Sequence, residues 1–203
     1  PEILKYAFLS AHYRSVLSVS NDKILQTVSA LNRIYSSLLL ANETIESVEQ
    51  DGAVDAGFAK KLDLLTGKIT KALNDDFNTA DFISFIFEGV RTFNALGFAN
   101  KKKRNSVHKA CSIYFREWLS KYGNLGALFN EDPKEFLEEL DEMLIRLRDI
   151  DKSAVEVLVA KRNEAREAKN WDDADKFRVE LEALGIELFD GSSRGWRVKT
   201  QEN

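Results

Sequence analysis

Residues 186–199 read Ile186-Glu187-Leu188-Phe189-Asp190-Gly191-Ser192-Ser193-Arg194-Gly195-Trp196-Arg197-Val198-Lys199. Two short runs flank a cluster of Asp, Gly and Ser, which is a β-hairpin signature with a loose loop. These are the only convincing strands in the 203 residues. Elsewhere apolar residues recur at spacings of three and four, the mark of amphipathic helices. The fold class is therefore mainly α: an antiparallel helical bundle followed by a small α/β module with two helices and a β-hairpin.

Working back from the hairpin, Gly185 closes a short helix from about Trp171 that carries Ala174, Phe177, Leu181 and Leu184. Ser153-Ala154-Val155-Glu156 is a capping box, and the helix it opens carries Val155, Leu158, Val159, Arg162, Ala165 and Arg166. The pattern changes near Asp149-Ile150-Asp151-Lys152, so the bundle is assigned to 1–150 and the module to 151–203. Asp132-Pro133-Lys134-Glu135 starts the preceding helix with a cap, a proline at the first position and a glutamate at the third. Ser106 is the expected cap of a helix with Ala110, Cys111, Trp118 and Tyr122, ending at Gly123. Asn74-Asp75-Asp76-Phe77-Asn78-Thr79 separates two earlier helices, and 46–57 reads as a loop. Ser20 caps a long helix with Val28, Leu31, Tyr35 and Leu38. The first helix begins with Leu4, Phe8 and Ala11, contains His12 and fades near Ser18.

Composition narrows the function classes. A hydrophobic share of 44% and a charged share of 31% describe a globular protein. Twenty-nine basic and thirty-three acidic residues leave a net charge of −4, which excludes a uniformly basic nucleic-acid binder but not a local basic patch. Cys111 is the single cysteine, so neither an internal disulfide nor a cysteine-rich zinc site forms, and a reducing, cytoplasmic compartment is expected. No run of about 18 apolar residues exists to span a membrane. The chain starts at Pro1 inside a helical pattern, which leads us to expect the back portion of a longer protein.

Chemistry-bearing residues are sparse. His12 and His108 are the two histidines, and neither has a partner at metal-ligand spacing. Cys111 on an apolar face reads as a buried thiol. Asp75 and Asp76 either serve as paired acids or favour a helix N-terminus that Asn78 or Thr79 caps. The run Lys101-Lys102-Lys103-Arg104 either meets phosphates or is solvated. In the tail, Arg162, Arg166 and Lys169 are spaced to share one helix face, and Trp171 stands at the turn into the next helix. Asp175 lies one turn further on. Strand alternation puts Arg197 and Lys199 on one face and Trp196 and Val198 on the other. Cations, indoles and acids in this mixture suit single-stranded RNA: cations hold phosphates, indoles stack on splayed bases, and acids accept from base N–H donors. The other reading puts Trp171 and Trp196 in a small core with the charges paired on the surface.

These residues resemble a family. His12-Tyr13-Arg14-Ser15 is similar to the start of the helical domain that follows the catalytic core in bacterial-type cysteinyl-tRNA synthetases, class I aminoacyl-tRNA synthetases. Asp75-Asp76-Phe77-Asn78-Thr79 resembles a motif of the same DALR-type bundle. Arg162, Arg166, Trp171, Ala174-Asp175, Arg178, Leu181, Gly185-Ile186, Asp190-Gly191 and Trp196-Arg197 look like the family's anticodon-binding tail. From Asn94 to Leu147 the match is in helical character alone.

The resemblance implies a C-terminal portion of an enzyme that activates cysteine with ATP and transfers it to the 3′ end of tRNA(Cys). ATP, Mg2+ and one Zn2+ are implied for that parent. The zinc ligands and the two nucleotide-binding signatures, abbreviated HIGH and KMSKS, are not in this sequence. A fragment without catalytic residues, inactive alone, is expected. The implied partners are tRNA(Cys) and the enzyme's own catalytic domain, with no membrane, and a monomer is expected. Carried over, Arg166 and Asp175 read the first anticodon base, a guanine, and Asp190 another anticodon base. Trp171 stacks or positions, and Arg162, Trp196 and Arg197 support. The Asp190–Trp196 connection is short for the family, and Asn170 stands where an acid is common. The alternatives are a helical protein-interaction module with a structural tail, and the tRNA-binding part of another DALR-type class I synthetase.

Overall fold

The computed structural model describes residues 1–16, 20–98, 101–189 and 195–200. Among them are helices α1 (Glu2–Leu9), α2 (Asn21–Ser47), α3 (Ala56–Asn74), α4 (Thr79–Asn94), α5 (Ser106–Leu125), α6 (Pro133–Leu147), α7 (Lys152–Glu167) and α8 (Trp171–Ala183). Strands β1 (Ile186–Leu188) and β2 (Trp196–Val198) complete the fold. The chain is mainly α, as its apolar spacing predicts.

It divides into two compact units, Pro1–Leu137 and Glu138–Asn203. The second unit takes in the last turns of α6, ahead of the division near 150 that the sequence pattern marks. A carboxylate bonds these turns to the hairpin. Asp141, fully buried on α6, accepts hydrogen bonds from Arg197 Nε at 2.6 Å and from the Val198 backbone N–H at 3.1 Å. Arg148 Nη1 adds a bond to the Lys199 carbonyl at 2.7 Å. These bonds tie the outer edge of β2 to α6 and cover an edge that would otherwise be unpaired.

In the first unit, apolar stripes decide which face of each helix is buried. Leu31, Ile34 and Tyr35 of α2, Leu62 and Ile69 of α3, Ile86, Val90 and Phe93 of α4, and Phe115 and Leu119 of α5 are fully buried. Phe93 and Phe115 stack with ring centroids 4.2 Å apart. Glu2 is a buried acid that is fully used: Oε2 accepts from the Tyr35 hydroxyl and Oε1 from the Phe129 N–H, both at 2.7 Å.

The caps follow the sequence, with shifts of a residue or two. Ser20 accepts from the Lys23 N–H, Asn78 from Asp81 and Asp132 from Glu135. Asn105, not Ser106, caps α5, and His108 Nδ1 returns the bond by accepting from the Asn105 N–H. Asp151, not Ser153, caps α7, because its carboxylate reaches the Ser153 and Ala154 N–H groups together. The first helix is shorter than its spacing predicts. It ends at Leu9, so His12 lies outside it, and Leu4 and Phe8 are more than half exposed while Glu2, Tyr6 and Ala7 face inward.

In the second unit α7 and α8 form a hairpin. The Asn170 N–H bonds to the Ala165 carbonyl at 2.8 Å, and Lys169 takes a left-handed backbone, φ 58°. Asn170 then caps α8 by accepting from the Asp173 N–H. Gly185, φ 74°, turns the chain into β1, a conformation that favours glycine. β1 and β2 pair antiparallel with Glu187 opposite Arg197.

Candidate nucleic-acid interface

The tail residues separate into exposed and buried sets. Arg162 and Arg166 are half-exposed, one turn apart on α7. Lys169 does not continue their row, since α7 ends at Glu167 and its left-handed backbone leaves the helix. Trp171 opens α8 at 59% exposure. Spacing puts Asp175 and Arg178 on the same face of α8 as Trp171, and the two bond across a turn at 3.5 Å. Both partners are open to solvent, so this pair is weak and free to exchange for a ligand.

Trp196 and Arg197 are placed otherwise. Trp196 is 2% exposed and Val198 is its equal, so that face of β2 belongs to the core. The indole cannot stack on a base from there. Arg197 is held by the Asp141 carboxylate. Both residues build the hairpin and hold it in place. Asp190 lies outside the described residues. Residue-by-residue reading missed Asp141, although an acid on the apolar stripe Leu137, Leu140, Leu144 was a legible signal.

The first unit brings two motifs together. Asp76 accepts from the Tyr13 hydroxyl at 2.7 Å and pairs with Arg14 at 2.9 Å, and His12 Nε2 stands 4.0 Å from the same carboxylate. The bond to Asp76 raises the pKa of the Tyr13 phenol. Thr79 Oγ1 donates to the Ala11 carbonyl at 3.2 Å. Beside them Phe8, His12, Tyr13 and Phe77 line an apolar hollow of about 620 Å³. Asp76 therefore fastens a connection, and Asn78 serves as the cap.

Cys111 is buried, its thiol raised by burial, and its sulfur accepts from the Asp55 N–H. His108 is spent on the α5 cap. Among the described residues no three His, Cys, Asp or Glu side chains gather in a way that could hold a metal ion. Of the basic run, Arg104 is buried against the Phe98 carbonyl and Glu43, and Lys101 pairs with Glu43.

Two families match this chain. Residues 68–125 match the DALR domain, and residues 152–190 match the cysteinyl-tRNA ligase anticodon binding domain. The second match covers α7, α8 and β1. By these two domains the chain is similar to the C-terminal portion of cysteinyl-tRNA ligases. A cysteine–tRNA ligase of Bdellovibrio bacteriovorus is 37% identical over 190 residues, 93% of this chain and 39% of the relative. That of Geobacter sulfurreducens is 32% identical over 201 residues, 98% of this chain and 40% of the relative. A Haemophilus influenzae cysteine–tRNA ligase is 34% identical over 197 residues, 97% of this chain and 37% of the relative. The chain thus spans about two fifths of the length of these cysteinyl-tRNA ligases. No helix among the described residues is long and apolar enough to cross a membrane.

Proposed function

We propose that this chain binds tRNA, that its tail reads the anticodon of cysteine tRNA, and that it works within a longer, monomeric, cytoplasmic enzyme that attaches cysteine to that tRNA with ATP. The observation that carries this is a coincidence of place. The stretch matching the anticodon-binding domain is the one whose hairpin sets an exposed indole, Trp171, one tight turn from Arg166.

The chemistry follows from the exposed set. The Trp171 ring offers a face to a splayed base. Arg162 and Arg166 supply cationic donors for phosphate or for base acceptors, and Asp175 accepts from base N–H groups. Guanine presents two such donors on its Watson–Crick edge, which fits the role carried over for Arg166 and Asp175. Asp190 carries over as a contact to another anticodon base. Trp196 and Arg197 contribute by holding the hairpin. The described residues do not fit a zinc site, because Cys111 and His108 are already engaged. ATP, Mg2+ and zinc belong, in this proposal, to a catalytic domain that is the chain's partner within the longer enzyme.

The test is binding of cysteine tRNA transcripts carrying the natural anticodon or a substituted first base. The natural tRNA is expected to bind more tightly. Arg166→Ala and Asp175→Ala are each expected to weaken it about tenfold and to narrow the difference, the size of losing one base contact. Equal binding of both transcripts by the unsubstituted protein would sink the reading.

A further inference from the structure

Residues 48–55 link α2 to α3 and are fastened to the first turns of α5 by three contacts. Lys109 Nζ donates to the Glu49 carbonyl at 3.1 Å and pairs with the Asp51 carboxylate at 2.7 Å. Gly52 touches Ser106 so closely that a Cβ would fall 2.6 Å from the Ser106 carbonyl carbon. The Asp55 N–H donates to the Cys111 sulfur at 3.4 Å. Backbone contact thus fixes glycine at 52, and the Lys109 ammonium suits an acid at 51. The result is an Asp–Gly pair, one of two in the sequence.

Among aspartyl pairs, Asp–Gly is the most open to succinimide formation, because glycine has no side chain to shield its own amide nitrogen. The surroundings remove the usual obstacles. Asp51 and Gly52 stand outside helix and strand and are exposed, the Asp51 side chain at 89%. Among the described residues the Gly52 N–H makes no hydrogen bond. One restraint remains. The Lys109 side chain is mostly buried and is held by the Glu49 carbonyl. Its hydrogen bond and its charge hold the Asp51 carboxyl below its ordinary pKa. An ionised carboxylate is a poor electrophile, since oxide would have to leave in place of water.

We propose that Asp51-Gly52 is a site of spontaneous isoaspartate formation and that Lys109 restrains it. The inference is independent of the tRNA reading. The Gly52 nitrogen attacks Cγ of the protonated Asp51 carboxyl. The nitrogen's proton and the carboxyl hydroxyl leave as one water, and an imide ring closes. Solvent water then opens the ring. Attack at Cγ restores aspartate. Attack at the Asp51 backbone carbonyl leaves isoaspartate, with the chain running through Cβ and Cγ and a free α-carboxylate. Mass is unchanged, and no oxidant or reductant takes part. The backbone path gains one atom where Gly52 already touches Ser106, so the altered segment should loosen from α5. An isoaspartyl carboxylate is also the substrate of methyltransferases that use S-adenosylmethionine to esterify it.

The experiment ages the folded chain at neutral pH in water enriched in heavy oxygen and maps its peptides by mass spectrometry. Ring opening puts one solvent oxygen into residue 51. An isoaspartyl methyltransferase with S-adenosylmethionine then counts the isoaspartate. Mapping separates this pair from Asp190-Gly191. The folded chain is expected to take up label at Asp51 severalfold more slowly than the same chain in guanidinium, where the Lys109 contact is gone. Lys109→Gln should raise the folded rate severalfold, and Lys109→Arg, which keeps the charge, should leave it slow. Asp51→Glu keeps a carboxylate for Lys109 but demands a larger ring, so label and methyl acceptance should vanish from this peptide. Circular dichroism checks that each variant is folded. Absence of label and of methyl acceptance at residue 51 in every folded form would overturn the site. A folded Lys109→Gln that ages no faster than the unsubstituted chain would overturn the restraint. So would an unsubstituted chain that ages equally fast folded and in guanidinium.

Discussion

Trp171 and Trp196 lie in one small module and differ in what surrounds them. Trp171 is 59% exposed at the first position of α8, and Trp196 is 2% exposed on β2. Removing a fully buried indole leaves a cavity as well as lost apolar transfer. Trp196→Ala is expected to cost about 3–5 kcal/mol of stability, read by urea denaturation. Trp171→Ala should change stability by about 0.5 kcal/mol or less yet weaken tRNA binding by about 1–3 kcal/mol, the worth of one stacked base. A stable Trp196→Ala variant would contradict its place in the core. Strand alternation made it legible that Trp196 opposes Arg197. It could not say that Arg197 meets a buried carboxylate, because Asp141 is fifty-six residues away in sequence.

Helix starts were legible because caps are local chemistry. Asn78, Asp132 and Asn170 each accept from a backbone N–H three residues on, which needs no knowledge of the fold. The end of α1 was not legible. Its apolar spacing continues past Ser10, but the Ala11 carbonyl is taken by Thr79 and the Tyr13 and Arg14 side chains by Asp76, partners more than sixty residues distant. The break between α3 and α4 has a cost of its own. Asp76 and Phe77 both hold left-handed backbones, φ 52° and 51°, which disfavour residues with a Cβ. Phe77 is 71% exposed, so little burial offsets its strain. Phe77→Gly should therefore raise the stability of the first unit by about 1 kcal/mol, seen as a higher urea midpoint at unchanged slope. A loss of stability would mean that the ring itself, and the hollow it lines, holds α1 and α4 in place.

At the scale of the molecule, the division at Leu137/Glu138 and the match beginning at residue 152 describe different things. The match follows α7 onward, the part proposed to meet RNA. The compact unit also includes the α6 turns that hold β2 through Asp141. A tail without them would take from the Arg197 guanidinium, 18% exposed, the Asp141 carboxylate that pairs with it. Asp141→Asn tests this in the whole chain with little change of shape. The amide still accepts from Val198, but the charge that Asp141 sets against Arg197 is gone. Breaking such a pair from one side costs about 3 kcal/mol. That energy corresponds to about a hundredfold faster hydrogen exchange, and it should appear in the amides of α7, α8 and the strands. The buried amides of α2 to α5, which lie in the first compact unit, should keep their rates. Equal acceleration throughout would make the chain one cooperative body. Acceleration confined to the second unit would show that a carboxylate on α6 is part of the anticodon module, a role that its sequence match, starting at residue 152, leaves out.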